Sequence, residues 1–179
     1  MLKANLMLPI VVIDDSKEDL LLTERVIRQA QVLNPVHLFR DPVYCHAYFS
    51  DAAAGSEPAL MFVDLVMFPH SGIEVLRSLK RHSRARASLT VMLTGLGDIR
   101  HIQQGYDSGA ATFLIKPFSI DDFRSFLKAF HSYYRIDESK DGKTLNWSET
   151  FRKQHGLSPS REESPQDLRH GIVIPKPPQ

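Results

Sequence analysis

Three short apolar runs, each ending in a charged side chain, constrain this chain more than any other feature. Leu8-Pro9-Ile10-Val11-Val12-Ile13 runs into Asp14 and Asp15. Ala59-Leu60-Met61-Phe62-Val63 runs into Asp64. Thr112-Phe113-Leu114-Ile115 runs into Lys116, which Pro117 follows. Continuous apolar runs of this length read as strands buried on both faces, as in a parallel sheet. In an open α/β sheet, chemistry collects beyond the carboxyl ends of the strands. Three carboxylates and one ammonium are therefore expected to converge. Buried charge is costly unless it is paired. The acids need a cation and the lysine needs an anion, and a divalent metal with a phosphoryl group satisfies both.

Between these runs the pattern alternates strand and helix, which argues a doubly wound α/β fold with helices on both faces of the sheet. Ser16 is placed to N-cap a first helix, with Asp19 answering at the third helical position as a variant capping box. Val36 to Phe39 reads as a second strand. Pro42 starts a short second helix that Gly55-Ser56 ends. Ile73, Leu76 and Leu79 mark a third helix, and Leu89 to Leu93 a fourth strand ending in Thr94-Gly95. Ile99, Ile102 and Tyr106 mark a fourth helix that stops near Gly109. Ser119 to Asp122 is another capping signal. Ile120, Phe123, Leu127, Phe130 and Tyr134 then outline a long amphipathic fifth helix. Five strands and five helices are expected in residues 1–136.

Beyond Ile136 the character changes. Residues 137–179 carry seven basic and seven acidic residues, few large apolar ones and several prolines. They read as an extended or disordered tail, or as a docking arm. Trp147, with Leu145 and Phe151, is the candidate anchor of such an arm. The whole chain has a net charge of +1, so nothing in its balance demands nucleic acid or an anionic membrane. The basic cluster Arg77, Lys80, Arg81, Arg84 and Arg86 has no nucleic-acid motif beside it and reads as a solvated helix end. The apolar run reaching Ile13 is far short of a membrane span of roughly 20 residues. The single cysteine, Cys45, excludes an internal disulfide and suits a reducing cytoplasm.

Taken in order, the motifs resemble the receiver domain of two-component response regulators. They are Ile13-Asp14-Asp15-Ser16, then Asp64 with Met67 and Gly72, then Leu93-Thr94-Gly95. Gly109-Ala110 and Phe113-Leu114-Ile115-Lys116-Pro117-Phe118 complete the set. The resemblance covers roughly residues 8–136 and implies a flavodoxin-like sheet of order 2-1-3-4-5. It implies that Asp64 accepts a phosphoryl group, since a carboxylate oxygen can attack phosphorus to form an acyl phosphate. It implies that Mg²⁺, which prefers octahedral oxygen ligands, binds Asp15 and Asp64 directly, Asp14 largely through water, and the backbone carbonyl of Val66. Lys116 is implied to hold the phosphoryl oxygens, before a cis bond to Pro117. Thr94 is implied to be the switch hydroxyl and Phe113 the aromatic switch.

The chain also departs from the family. Proline normally follows Met67 directly; here Phe68 intervenes and the proline is Pro69. That substitution is expected to reshape the loop and expose or re-pack Phe68. Val66 and Leu96, each two residues beyond a site residue, are apolar where the family is often polar. The function implied is a stand-alone receiver, phosphorylated by a histidine kinase or phosphotransfer protein, acting only on its own phosphate. Its output is expected to be protein contact, including a homodimer or partner surface on the fourth helix, fifth strand and fifth helix, where Phe123 to Tyr134 offers more aromatic surface than one helix face can bury. A phosphate-independent scaffold on the same fold is one rival. A Mg²⁺-dependent small-molecule phosphatase is another, disfavoured because Val66 stands where such an enzyme often has its acid.

Overall fold

The computed structural model describes residues 7–51, 57–95 and 101–157. Its central sheet holds β1 (Ile10–Ile13), β2 (Val36–Phe39), β3 (Leu60–Asp64), β4 (Leu89–Thr94) and β5 (Thr112–Ile115). All neighbours are parallel, in the order β2-β1-β3-β4-β5. Between and after the strands run α1 (Lys17–Gln29), α2 (Pro42–Ser50), α3 (Gly72–Leu79), the one-turn α4 (Ser83–Arg86), α5 (Ile102–Asp107) and α6 (Ile120–Ala129). This is the doubly wound, flavodoxin-like architecture.

The apolar strands are explained by two separate cores. Alternate strand residues point to opposite faces. Ile10, Val12, Leu60, Phe62, Val91 and Leu93 pack with Leu20, Ile27, Phe123 and Leu127 of α1 and α6. Val11, Ile13, Met61, Val63 and Met92 pack with Cys45 and Phe49 of α2 and with Ile73 and Leu76 of α3. The central strands β1, β3 and β4 are buried on both sides, so they are apolar with little alternation, whereas the edge strands β2 and β5 are only half-buried. Cys45 is buried, and burial pushes its thiol well up, which makes it inert packing.

The helix ends follow local chemistry. Ser16 caps α1, Asp41 caps α2 with Pro42 at the first turn, and Ser71 and Ser119 open full capping boxes on α3 and α6. Helix α2 ends at Ser50; Gly55-Ser56 and Ile99 lie outside the described residues. The Ser16 box is only half made. Its hydroxyl accepts from the Asp19 N–H at 3.2 Å, but its own N–H donates to Asp14 Oδ1 at 2.9 Å, not to Asp19.

Two expectations are corrected. The fifth predicted helix does not reach Tyr134: α6 stops at Ala129, and Tyr134 begins β6 (Tyr134–Glu138). The tail is not extended or disordered from Asp137 through Leu157. β6 pairs antiparallel with β7 (Lys143–Trp147), and α7 (Glu149–His155) follows. This hairpin straddles residue 136 and closes the amino end of the sheet. Leu145, Trp147 and Phe151 are buried in the same core as α1 and α6. The Tyr134 hydroxyl donates to the Ala59 carbonyl at 3.0 Å. Asn34, fully buried, donates to the carbonyls of Leu8 (2.7 Å) and Leu145 (2.9 Å) and accepts from the Leu145 N–H (2.8 Å). Gly142, at φ +150°, passes where any Cβ would meet the Gln31 carbonyl.

The aromatic surplus of α6 is consumed here. Rings run from Phe126 through Phe130 and Tyr133 to Phe151, Trp147 and Tyr134, with centroids 4.5–5.5 Å apart. Phe123, Phe126 and Tyr134 are buried. The aromatic surplus that argued for a homodimer or partner surface packs within the chain, Phe123 against Phe62, Tyr134 against Trp147 of β7 and Tyr133 against Phe151 of α7. No helix among the described residues is long and apolar enough to cross a membrane.

Candidate functional site

The ladder that builds the sheet delivers four charged groups to one edge. Asp14 follows β1, with its N–H on the Phe39 carbonyl; Asp64 ends β3; Lys116 follows β5, with its N–H on the Thr94 carbonyl. Gly72 lets α3 begin directly against the Asp64 carbonyl, where any Cβ would collide. Asp14, Asp15 and Asp64 each offer a carboxylate oxygen, all within 4.8 Å of one another. Asp14 and Asp64 are buried, and Asp15 is half-buried.

Lys116 Nζ sits 2.9 Å from Asp14 Oδ2 and 2.9 Å from Asp64 Oδ1. Its shortest contact, 2.8 Å, is to Asp19 Oδ2, which the sequence reading used only as a helix cap. The local capping motif accounted for Asp19 and hid its second role. One hint was legible: an acid one helical turn into α1 faces back toward the strand end. Asp15 is held from two sides. Its Oδ2 accepts the Phe68 N–H at 3.0 Å, and its carbonyl accepts from the exposed Arg40 guanidinium at 3.2–3.3 Å. A proline at position 68 has no N–H to give, so the departure at Phe68 has a structural consequence. The Phe68 ring is 90% exposed. The Phe68–Pro69 and Lys116–Pro117 bonds are both cis.

Thr94 is buried at the end of β4, and its hydroxyl donates to the Gly95 carbonyl at 3.1 Å. Phe113 is half-buried, edge-on to Tyr106 at 5.1 Å, and lies over Gly105, where a Cβ would collide with the ring. The Val66 side chain is exposed beside the site, and Leu96 lies outside the described residues.

The electrostatics are unbalanced. Burial pushes the Asp64 carboxyl up to about 6, against the pull of Lys116. Burial raises Asp14 as well. Burial also opposes the Lys116 charge, but Asp19, Asp14 and Asp64 outweigh it and move the ammonium upward. One ammonium thus serves three carboxylates, with Asp15 close by. The cluster lacks positive charge, and its donors are all hard oxygens. That donor set fits Mg²⁺.

Comparison with known proteins agrees. Residues 10–128 match the family model described as the response regulator receiver domain. The chain is similar to the DNA-binding dual master transcriptional regulator RpaA of Synechocystis sp., 36% identical over 73 residues, 41% of this chain and 30% of that one. It therefore spans under a third of that relative. The probable methanogenesis regulatory protein FilR2 of Methanothrix harundinacea is 24% identical over 127 residues, 70% of this chain and 82% of that one. Among solved structures, the bacteriophytochrome response regulator AtBRR superposes with a TM-score of 0.62 at 25% identity, covering 74% of this chain and 99% of that one.

Proposed function

The chain belongs to the response regulator receiver domain family, and from that premise we propose that Asp64 accepts a phosphoryl group from a histidine kinase or phosphotransfer protein. The observation that carries this is the Lys116 ammonium, 2.9 Å from both Asp64 and Asp14 in a cluster short of positive charge. An Asp64 oxygen attacks the phosphorus of a phosphohistidine. The P–N bond breaks, its electron pair stays on the imidazole, and an acyl phosphate forms on Asp64. Lys116 meets the charge on the transferring oxygens, and Thr94, once its hydroxyl leaves the Gly95 carbonyl, donates to one of them. Phe113 follows the β4–β5 end in that movement. Asp14, Asp15 and Asp64, with the Val66 carbonyl, would hold Mg²⁺, which would supply positive charge to the acids and the phosphoryl oxygens. Water later hydrolyses the acyl phosphate, so the chain acts on its own phosphate and not on a separate substrate. Its output is contact with a partner protein in the cytoplasm.

The test is intact mass after incubation with acetyl phosphate, with and without Mg²⁺. One added phosphate on the wild type, needing Mg²⁺ and absent in Asp64→Asn, is expected. Full uptake by Asp64→Asn would reassign the acceptor. No uptake by the wild type would favour the phosphate-independent scaffold.

A further inference from the structure

We propose that Asp19 is the exchangeable counter-ion of Lys116, occupying the position on the ammonium that a phosphoryl oxygen of the donor takes. This rests on the phosphoacceptor reading of Asp64.

An ammonium has three donors and no acceptor. Three carboxylates, Asp14, Asp19 and Asp64, stand at 2.8–2.9 Å from Lys116 Nζ. The ammonium is therefore saturated before any phosphoryl group arrives, and a donor oxygen reaches it only by displacing one carboxylate. The three do not leave at equal cost. The Asp14 side chain is 1% exposed, and its other oxygen is tied to the Ser16 N–H. Pulling it from Lys116 leaves a buried anion short of a cation, which is expensive. Asp64 is 5% exposed and is the nucleophile itself. Asp19 is 35% exposed, so water replaces the ammonium at its surface. It also sits in the first turn of α1, where the helix N-terminus favours a negative charge whether or not Lys116 stays.

The half-made capping box supports the same role. A third-position acid normally turns back to the N-cap N–H. Here Asp14 takes that N–H, which frees Asp19 to point at Lys116. Asp14 takes the cap N–H with one oxygen and keeps Lys116 with the other, and the result is a fourth acid, Asp19, on the rim of the site. Asp19 is a positioning residue: it acts on the phosphoryl group through Lys116 and does not touch the reacting atoms.

The consequence is competition. Asp19 holds Lys116 in place while the site is empty of phosphate and weakens its grip on an anionic donor. Asp19→Asn keeps the shape and removes the charge. It is expected to lower the acetyl phosphate concentration giving half-maximal phosphorylation roughly threefold, the scale of one partly exposed ion pair. The maximal rate is expected to stay within about twofold, because the nucleophile and metal ligands are unchanged. Asp19→Glu keeps a carboxylate and is expected to restore the wild-type half-saturation. A second readout needs no phosphate: acylation of Lys116 by an amine-reactive ester, followed by peptide mass, should be faster in Asp19→Asn than in the wild type or Asp19→Glu.

An unchanged or raised half-saturation in Asp19→Asn would overturn the competition. Equal Lys116 acylation in all three proteins would overturn the contact itself. If the wild type takes no phosphate at all, the proposed function fails, and the acylation rates alone decide whether Asp19 holds Lys116.

Discussion

The two ends of the sheet solve opposite problems. At the amino end, Asn34 is buried with three hydrogen bonds and the Tyr134 hydroxyl reaches the Ala59 carbonyl, while the Trp147 indole N–H is buried without a partner among the described residues. Rings from Phe130, Tyr133, Phe151, Trp147 and Tyr134 fill the space around them. At the carboxyl end, Asp14 and Asp64 are buried with too few cations, and Lys116 is shared among three acids. One end adds stability as the chain stands. The other is left with more buried carboxylates than cations. The difference predicts that substitutions at the two ends move stability in opposite directions.

The largest effect is expected at the closed end. Trp147 is 4% exposed and stacks between Tyr134 and Phe151. Trp147→Ala leaves a large cavity and should cost about 3–5 kcal/mol by urea unfolding. A loss below about 1 kcal/mol would mean that the hairpin and α7 are an appendage and not part of the core.

The opposite sign is expected at the site. The folded Asp64 carboxyl, at about 6, lies above its ordinary 3.8. The folded state therefore holds that proton more tightly than the unfolded chain. Stability from this group is present below about pH 4 and declines as pH rises through 6. In chelator at pH 7, Asp64→Asn should raise unfolding free energy by up to about 3 kcal/mol. The gain should vanish near pH 4. A destabilised Asp64→Asn at pH 7 would show that the Lys116 contact outweighs burial.

A smaller loss is expected at the seam between hairpin and sheet. Asn34→Ala leaves the Leu145 N–H and two carbonyls without their partner inside the protein. About 2 kcal/mol of stability should go, with phosphorylation of the remaining folded protein unchanged. Lost phosphorylation at full stability would join the two ends that the structure keeps apart.

The same contrast explains what could be read in advance. The site was legible because each strand is a continuous apolar run with its charged residue at the exit, so Asp14, Asp64 and Lys116 announce themselves. The amino-end closure was not. Its strands are five residues long and mix polar with apolar side chains, and their burial depends on remote partners; Leu145 and Asn34 are 111 positions apart. The aromatic series running on to Tyr134 suggested one long helix because the rings are indeed neighbours. They meet through a turn and a hairpin, not through helical spacing. Asp19 was hidden for a different reason: a local cap already accounted for it, and its place in the first turn of α1 pointed to the strand end without naming Lys116, 97 positions away.

The smallest effect belongs to a residue that should leave both ends intact. Val66 is 63% exposed beside Asp64, so replacing it changes little burial and should leave stability within about 0.5 kcal/mol. Its chemistry is another matter. Hydrolysis of an acyl phosphate needs a water aligned with the phosphorus, and alignment contributes heavily to rate. A valine side chain has no donor or acceptor to hold that water. Val66→Asn supplies both and should speed the loss of phosphate from Asp64 roughly threefold, on the scale of one exposed hydrogen bond. The measurement is the decay of phosphoprotein after acetyl phosphate is removed. Faster decay with an unchanged urea midpoint would place the control of lifetime wholly at the carboxyl end, separate from the aromatic closure that holds the fold. Equal decay would show that Val66 does not set the lifetime, and that the water is governed by the loop from Met67 to Pro69 or by Leu96.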